Sequence, residues 1–233
     1  MAGFSTGERN PAAVRQMFDR IAARYELANT VLSGGLDASW RRAAAQAAAV
    51  PAGGLALDIA CGSGNLARDL VRQQGAPEMV VGLDFSRRML ELAARRGGGV
   101  TAVQGDALRL PFAGRTFDAA TMAFGLRNLA HQSAGLQEML RVIRPGGRVV
   151  VLEFVRPPRG AIGAAYRAYL KAALPVLGGA ISGDGSAYRY LSDTVDSYRS
   201  PGQLAELASG AGWRRLDVRL LTFGTVALLA ATR

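Results

Sequence analysis

Two acids and a run of glycines carry the first chemical signal in this chain. Leu57-Asp58-Ile59-Ala60-Cys61-Gly62-Ser63-Gly64-Asn65 is an apolar run with an acid near its end that breaks into a glycine-rich turn, and a helix-like segment starts at about Leu66. A second apolar run, Val80-Val81-Gly82-Leu83, ends in Asp84. This plan predicts a nucleoside pocket at the carboxyl ends of parallel strands. Glycines admit a ligand close to the backbone, and an acid after the second strand can hold both ribose hydroxyls. The turn lacks the third glycine expected for a pyrophosphate, and no Walker lysine follows it. A nucleoside without phosphates fits better, and S-adenosylmethionine is the leading candidate. Cys61 and His131 are the only cysteine and histidine, too few soft ligands for zinc and too few thiols for an internal disulfide. No metal is expected, and Cys61 reads as a small packing residue of the turn rather than a nucleophile.

The elements that must position these residues follow from periodicity and punctuation. Val14, Met17, Phe18 and Ile21 recur at helical spacing between 11 and about 25, and a second helix is expected over 38–49 around Trp40. Pro51-Ala52-Gly53-Gly54 marks entry into the core. Strand-like runs at 55–60, 79–83, 100–104, 119–123 and 148–154 then alternate with helical segments at 66–72, 87–95 and 136–144. Alternation of this kind implies an α/β, Rossmann-like fold with a mostly parallel sheet covered on both faces. Arg144-Pro145-Gly146-Gly147 reads as a sharp helix stop, and a helix at 202–210 precedes a closing hairpin built from 213–220 and 225–230. The expected organisation is a flexible stretch at 1–10 followed by one domain over 11–233, with an N-terminal helical cover at 11–50.

The segment 160–195 interrupts the alternation. Ala165, Tyr166, Tyr169, Leu170 and Leu174 give a helix face, Pro175 interrupts it, and a glycine-rich stretch leads to Tyr188-Arg189-Tyr190. Two readings are open: a solvent-facing helical excursion, or an inserted lid whose tyrosines line an apolar substrate site.

The formal charge of +10 invites a nucleic-acid partner, but Lys171 is the only lysine and the arginines are scattered in pairs. No nucleic-acid-binding signature accompanies them, so no nucleic-acid partner is expected, while attraction to anionic lipid headgroups stays open. The first ten residues contain no apolar signal core, and no apolar run is long enough to span a bilayer, which points to a cytoplasmic protein.

Three further segments narrow the reading: Phe124-Gly125-Leu126-Arg127-Asn128, Val151-Leu152-Glu153-Phe154, and Ser186-Ala187-Tyr188-Arg189-Tyr190-Leu191. With the opening Met17-Phe18, Arg24-Tyr25, Asn29 and Trp40-Arg41-Arg42, they make residues from about Val14 to Ala230 resemble the menaquinone and ubiquinone biosynthesis C-methyltransferases, a class I methyltransferase family. The resemblance implies methyl transfer from S-adenosylmethionine to a ring carbon of a prenylated quinol, demethylmenaquinol above all. It also implies transient contact with the inner face of the cell membrane, and leaves monomer and homodimer both open. On the cofactor side it implies Asp58, Gly62, Ser63 and Gly64 in the turn, Asp84 at the ribose, and Asp106 with Ala107 at the adenine. Asp58 reads equally as a brace for the turn. On the substrate side it implies Arg127, Asn128 and Tyr25, with helix packing an alternative for Tyr25. Glu153 reads either as a base or as the partner of an arginine, and nothing in the motif demands His131.

The chain departs from the family pattern at Ala123, where a serine is common, at Glu26, where an aspartate is frequent, and at Thr222-Phe223-Gly224, where a Gly-Gly pair is common. Two other functions remain open on sequence: methylation of another small phenol or amine, and a non-catalytic lipid-binding role in quinone biosynthesis.

Overall fold

The computed structural model describes residues 11–233; the flexible stretch expected at 1–10 lies outside the described residues. Seven strands form one sheet: β1 (Leu55–Ile59), β2 (Met79–Asp84), β3 (Val100–Gln104), β4 (Phe117–Ala123), β5 (Ile143–Phe154), β6 (Arg214–Leu221) and β7 (Val226–Thr232). Their order is β3-β2-β1-β4-β5-β7-β6. The first five pair in parallel, and β7 runs antiparallel between β5 and β6.

Strand alternation sends neighbouring residues to opposite cores. Leu57, Val81, Ala120, Val151 and Leu229 pack on one face with Met139 and Trp213. Ala56, Val80, Ala119, Val150 and Leu228 pack on the other with Trp40, Leu66 and Leu70. The helices responsible are α3 (Leu36–Ala48) and α4 (Asn65–Val71) on the second face and α6 (Gln132–Val142) and α10 (Pro201–Gly210) on the first. Helix α5 (Arg87–Arg96) starts at Ser86, whose hydroxyl accepts from the Met89 N–H, satisfying one of the free donors at a helix start.

The N-terminal segment differs from the expected pair of helices. It forms α1 (Pro11–Ile21), a 3₁₀ turn at Ala22–Arg24, and then α2 (Tyr25–Leu32), a helix the periodicity does not announce. The Arg144-Pro145-Gly146-Gly147 stop is a bulge rather than a separate turn. Pairing jumps from Phe117↔Ile143 to Ala119↔Arg148, so the intervening residues leave the ladder where Gly146 adopts φ 81°.

The insertion is helical except at Gly183-Asp184: α7 (Ala161–Ala168), one π turn at Tyr169–Ala173, α8 (Leu174–Ser182) and α9 (Gly185–Asp196). Pro175 does not end it: the backbone stays right-handed helical from Ala168 through Leu174, and the wider π turn directly before the proline accommodates its ring and its missing N–H. Gly183 ends α8 in a left-handed conformation, whereas the Gly178-Gly179 pair stays helical for a packing reason. A Cβ on Gly178 would lie 2.3 Å from Cγ of Tyr188, so its absence lets α8 and α9 meet. Gly178→Ala is expected to lower stability by about 1–3 kcal/mol through overpacking and to speed proteolysis within 160–195; a thermal melt and limited proteolysis check it. This insertion packs on the N-terminal cover through Met17, Ile21, Ala28, Leu170, Leu174, Tyr188 and Val195.

Candidate active site

Two cavities lie side by side at the carboxyl ends of the parallel strands. The larger, about 750 Å³, is bounded by Gly62, Leu83, Asp84, Phe85, Gln104, Asp106, Ala107, Leu108, Gly125 and Asn128, and α1 closes it through Val14, Gln16 and Asp19. The smaller, about 170 Å³, is apolar and aromatic: Trp40, Phe154, Tyr166, Tyr169, Leu170, Tyr188 and Tyr190 line it, with Arg127 in its wall. Phe18, Tyr25 and Phe124 line both. These three rings form the partition.

Asp84 is 4 % exposed, and each carboxyl oxygen accepts one backbone N–H at 2.8 Å, from Gly62 and from Ser86. Burial nevertheless pushes its pKa up to about 6, with those N–H groups pulling the other way. Asp106 is exposed on the cavity wall and accepts from the Leu108 N–H, and Ala107 is buried beside it. Two acids on one wall and apolar flanks at Leu83, Phe85 and Leu108 fit the adenosine part of S-adenosylmethionine. Gly62 takes φ 54°, a left-handed conformation that glycine adopts without a steric cost.

The other turn residues brace this wall from behind and line neither cavity. Asp58 is buried, and the Thr121 hydroxyl donates to its Oδ1 at 2.7 Å. Gly64, at φ 79°, is the N-cap of α4. The Ser63 hydroxyl donates to Glu26, which also accepts from Arg96. Glu26 thereby ties the N-terminal cover to the glycine turn, and Asp19 ties it to the start of α5 by accepting from the Ser86 hydroxyl. Cys61 is partly buried, and burial pushes its thiol pKa well up, consistent with a packing role. Burial also raises the Asp58 pKa to about 7, against the Thr121 hydrogen bond. The charged form is therefore disfavoured in the fold, and the destabilisation grows from about pH 4 (the unfolded value) to pH 7 and is full above it. Asp58→Asn keeps an acceptor for Thr121 and removes the charge. Its amide nitrogen takes the place of Oδ2, which is buried without a hydrogen-bond partner, and this offsets part of the gain; relative to wild type the variant is expected to become more stable as pH rises from 5 to 8 in paired thermal melts.

On the substrate side, Phe124 sits just after β4 at φ 56°, a strained conformation for a bulky residue. It turns its carbonyl to accept from Arg127 Nη1 at 2.9 Å and from Asn128 Nδ2 at 3.2 Å. Gly125 is required next, since a Cβ there would lie 2.8 Å from the Cβ of Ala60. Arg127 is 5 % exposed and Glu153 fully buried. Arg127 donates to Glu153 from Nη1 at 2.5 Å and from its backbone N–H at 3.0 Å, and the Phe154 N–H donates to Glu153 as well. Glu153 is thus saturated as the arginine's partner, and the alternative of a free base is not what the geometry offers. Burial works against the Arg127 cation, but Glu153 outweighs it and holds the guanidinium above its ordinary value. Arg127 Nε is buried without a hydrogen-bond partner. Asn128 accepts from the Tyr190 hydroxyl at 3.2 Å, which links the insertion to the partition. Burial raises the Tyr25 phenol pKa, so Tyr25 stays a neutral donor at pH 7. His131 is exposed at the start of α6 and lines neither cavity.

Sequence reasoning did not find the partition rings Phe18 and Phe124, nor Gln104 on the cofactor wall. For Gln104 a signal existed, a polar residue ending an otherwise apolar strand; for the rings only the fold brings distant segments together. Ala123 lines the cofactor cavity, so the missing serine hydroxyl would have faced it.

Comparison with known proteins agrees with this geometry. A demethylmenaquinone methyltransferase of Mycolicibacterium vanbaalenii is 45% identical over 226 residues, covering 97% of both chains. One from Thermus thermophilus is 45% identical over 221 residues, covering 93% of this chain and all (100%) of the relative. A solved structure of a SAM-dependent methyltransferase from Thermotoga maritima, a possible histamine N-methyltransferase, superposes with a TM-score of 0.67 at 20% identity, covering 93% of this chain and 98% of that one; at that identity the likeness speaks for the fold. Residues 6–233 match the ubiE/COQ5 methyltransferase family. The glycine turn, the cavity beside Asp84 and this full-length match lead to one conclusion: the chain belongs to the ubiE/COQ5 methyltransferase family and is an S-adenosylmethionine-dependent methyltransferase.

Proposed function

We propose that the enzyme C-methylates the ring of a prenylated quinol, demethylmenaquinol to menaquinol, with the quinol ring in the aromatic cavity and its tail leading outwards. The observation that carries this reading is the pairing of an apolar, ring-lined cavity with a buried cation in its wall, next to the cofactor cavity. The names of the relatives point to the same substrate.

Bound S-adenosylmethionine supplies an electrophilic methyl group on a sulfonium. An aromatic carbon attacks such a methyl only when a ring hydroxyl gives up its proton and moves electron density onto the neighbouring carbon. Arg127, a buried cation in the cavity wall, stabilises that phenolate in a low-dielectric site. Arginine is a poor proton acceptor, so its role is to hold the oxyanion and to position a water that carries the proton away. Asn128, fixed by Tyr190 and the Phe124 carbonyl, and neutral Tyr25 orient the ring across the partition. Asp84, Gly62, Asp106 and Ala107 hold the nucleoside. The ring carbon takes the methyl as the methyl–sulfur bond breaks to leave neutral S-adenosylhomocysteine; the ring C–H proton is then lost to water, the oxygen regains a proton and aromaticity returns.

The deciding experiment is transfer of labelled methyl to reduced, short-tailed demethylmenaquinol, with the product located by mass spectrometry. Label on the ring carbon supports the reading. Label on oxygen, or no transfer to a demonstrably reduced acceptor by cofactor-loaded enzyme, refutes it. A prenyl tail partitions into the bilayer, so this reading also places the enzyme at the membrane surface by peripheral contact. No helix among the described residues is long and apolar enough to cross a membrane.

A further inference from the structure

The turn between β6 and β7 holds three consecutive left-handed residues: Thr222 at φ 47°, Phe223 at φ 55° and Gly224 at φ 84°. Only glycine takes this conformation without a steric cost. Phe223 nevertheless occupies it, with its ring 79 % exposed, the highest exposure of any large apolar side chain among the described residues. A strained backbone that displays a phenyl ring to water gains nothing from packing, and strain of this kind is retained where the displayed group has a use.

The turn's position suggests the use. Thr222 and Thr225, on either side of Phe223 and Gly224, line the aromatic cavity, and the Thr222 hydroxyl accepts from Trp40 Nε1 at 2.9 Å. Leu36, 44 % exposed, lines the same cavity and carries its apolar surface outwards. Around the turn, Leu220 is 54 % exposed, and Leu220 and Pro158 are the nearest side chains to Gly224. Arg159 follows Pro158 and Arg219 precedes Leu220, both exposed. Asp217, two residues before Arg219, faces it at 3.8 Å. An apolar tip flanked by arginines, on a chain of net charge +10, is complementary to a surface of anionic headgroups over acyl chains.

We infer that the Phe223 turn is the membrane-docking tip of this enzyme: Phe223 and Leu220 enter the headgroup–acyl boundary of an anionic bilayer, Arg159 and Arg219 contact its phosphates, and the aromatic cavity is thereby held against the leaflet that contains its substrate. The inference rests on the quinol reading for its purpose but not for its test.

That test uses the full chain with vesicles of phosphatidylglycerol and phosphatidylcholine in equal parts, and with phosphatidylcholine alone. Wild type is expected to sediment with the anionic vesicles more strongly than with the neutral ones. Phe223→Gly is expected to weaken binding to the anionic vesicles about tenfold or more. The same change should leave the melting temperature unchanged or raise it, because glycine relieves the strain. Loss of docking with a gain in stability cannot come from misfolding. Phe223→Trp is expected to keep the binding. Methylation of a short-tailed acceptor in solution should be unaffected by Phe223→Gly, while methylation of a long-tailed acceptor held in vesicles should fall with the binding. Undiminished vesicle binding by Phe223→Gly, or no vesicle binding by wild type, overturns the docking tip even if the short-tailed quinol is methylated. Loss of vesicle binding in Phe223→Gly without methylation of any quinol by wild type leaves the tip standing and sinks the substrate reading instead.

Discussion

Arg127→Ala is expected to lower turnover at least about tenfold, some 1.4 kcal/mol of barrier, while affinity for S-adenosylmethionine stays near normal. Arg127 lines the aromatic cavity and not the cofactor cavity, so its loss should be felt when charge develops on the quinol oxygen and not when the nucleoside binds. The substitution also strands Glu153, which is fully buried and ion-paired to Arg127. An uncompensated buried charge costs about 3–5 kcal/mol, so this variant should melt well below wild type. Two further variants separate stability from chemistry. Arg127→Ala with Glu153→Gln removes the stranded charge and should recover much of the melting temperature without recovering turnover. Arg127→Lys keeps a cation opposite Glu153 but has no Nε–H and no planar fork. It should be more stable than the alanine variant and still slow. Isothermal titration with cofactor, steady-state rates and thermal melts read the three effects independently. Equal losses of cofactor affinity and turnover in all three variants would reduce Arg127 to a structural role.

The order of strands and helices was legible because alternation, glycine stops and apolar runs act locally. The misses share a different cause. In α2 the apolar face is irregular: Ala28 is buried whereas Leu27 and Val31 are 59 % and 51 % exposed, so no clean helical stripe is written into the segment. Pro175 and the Gly178-Gly179 pair look like breakers by propensity, yet packing against Tyr188 and the π turn directly before the proline override that preference. At the site, Asp84, Gly62, Asp106 and Ala107 sit at strand ends, where position along the chain nearly determines position in space, and all four line the cofactor cavity. Asp58, Ser63 and Gly64 belong to the same local motif but face away from it. Which side of a tight turn a residue presents is decided by left-handed backbone angles and by tertiary partners such as Thr121 and Glu26, and neither is visible in a string of residue types. The partition is the extreme case, since Phe18, Tyr25 and Phe124 meet only after the cover folds over the sheet.

Asp84→Ala is expected to raise the dissociation constant for S-adenosylmethionine about a hundredfold, near 2.7 kcal/mol, with a smaller effect on turnover at saturating cofactor. The magnitude is that of hydrogen bonds to a buried charged acceptor, about 1.5–3 kcal/mol each, reduced by whatever solvent can replace. Asparagine is no remedy, because each Asp84 oxygen already faces a backbone N–H, and an amide nitrogen in either place would set donor against donor. The same carboxyl sets a pH dependence. Burial places its pKa at about 6 in the absence of ligand, and on the proposed ribose assignment the ionised form is the one that accepts from both hydroxyls. Affinity should therefore be full above pH 7 and fall about tenfold by pH 5, where about one molecule in ten carries the charge. Asp58 titrates nearby, at about 7, and the two carboxyls influence each other. Measuring the profile in the Asp58→Asn background isolates Asp84: the loss on acidification should persist there and vanish in Asp84→Ala, whose weak binding should be flat with pH. Unchanged affinity in Asp84→Ala would remove the ribose from this acid and require another acceptor on the cofactor wall, where Gln104, Asp106, Asn128 and, from α1, Gln16 and Asp19 also stand.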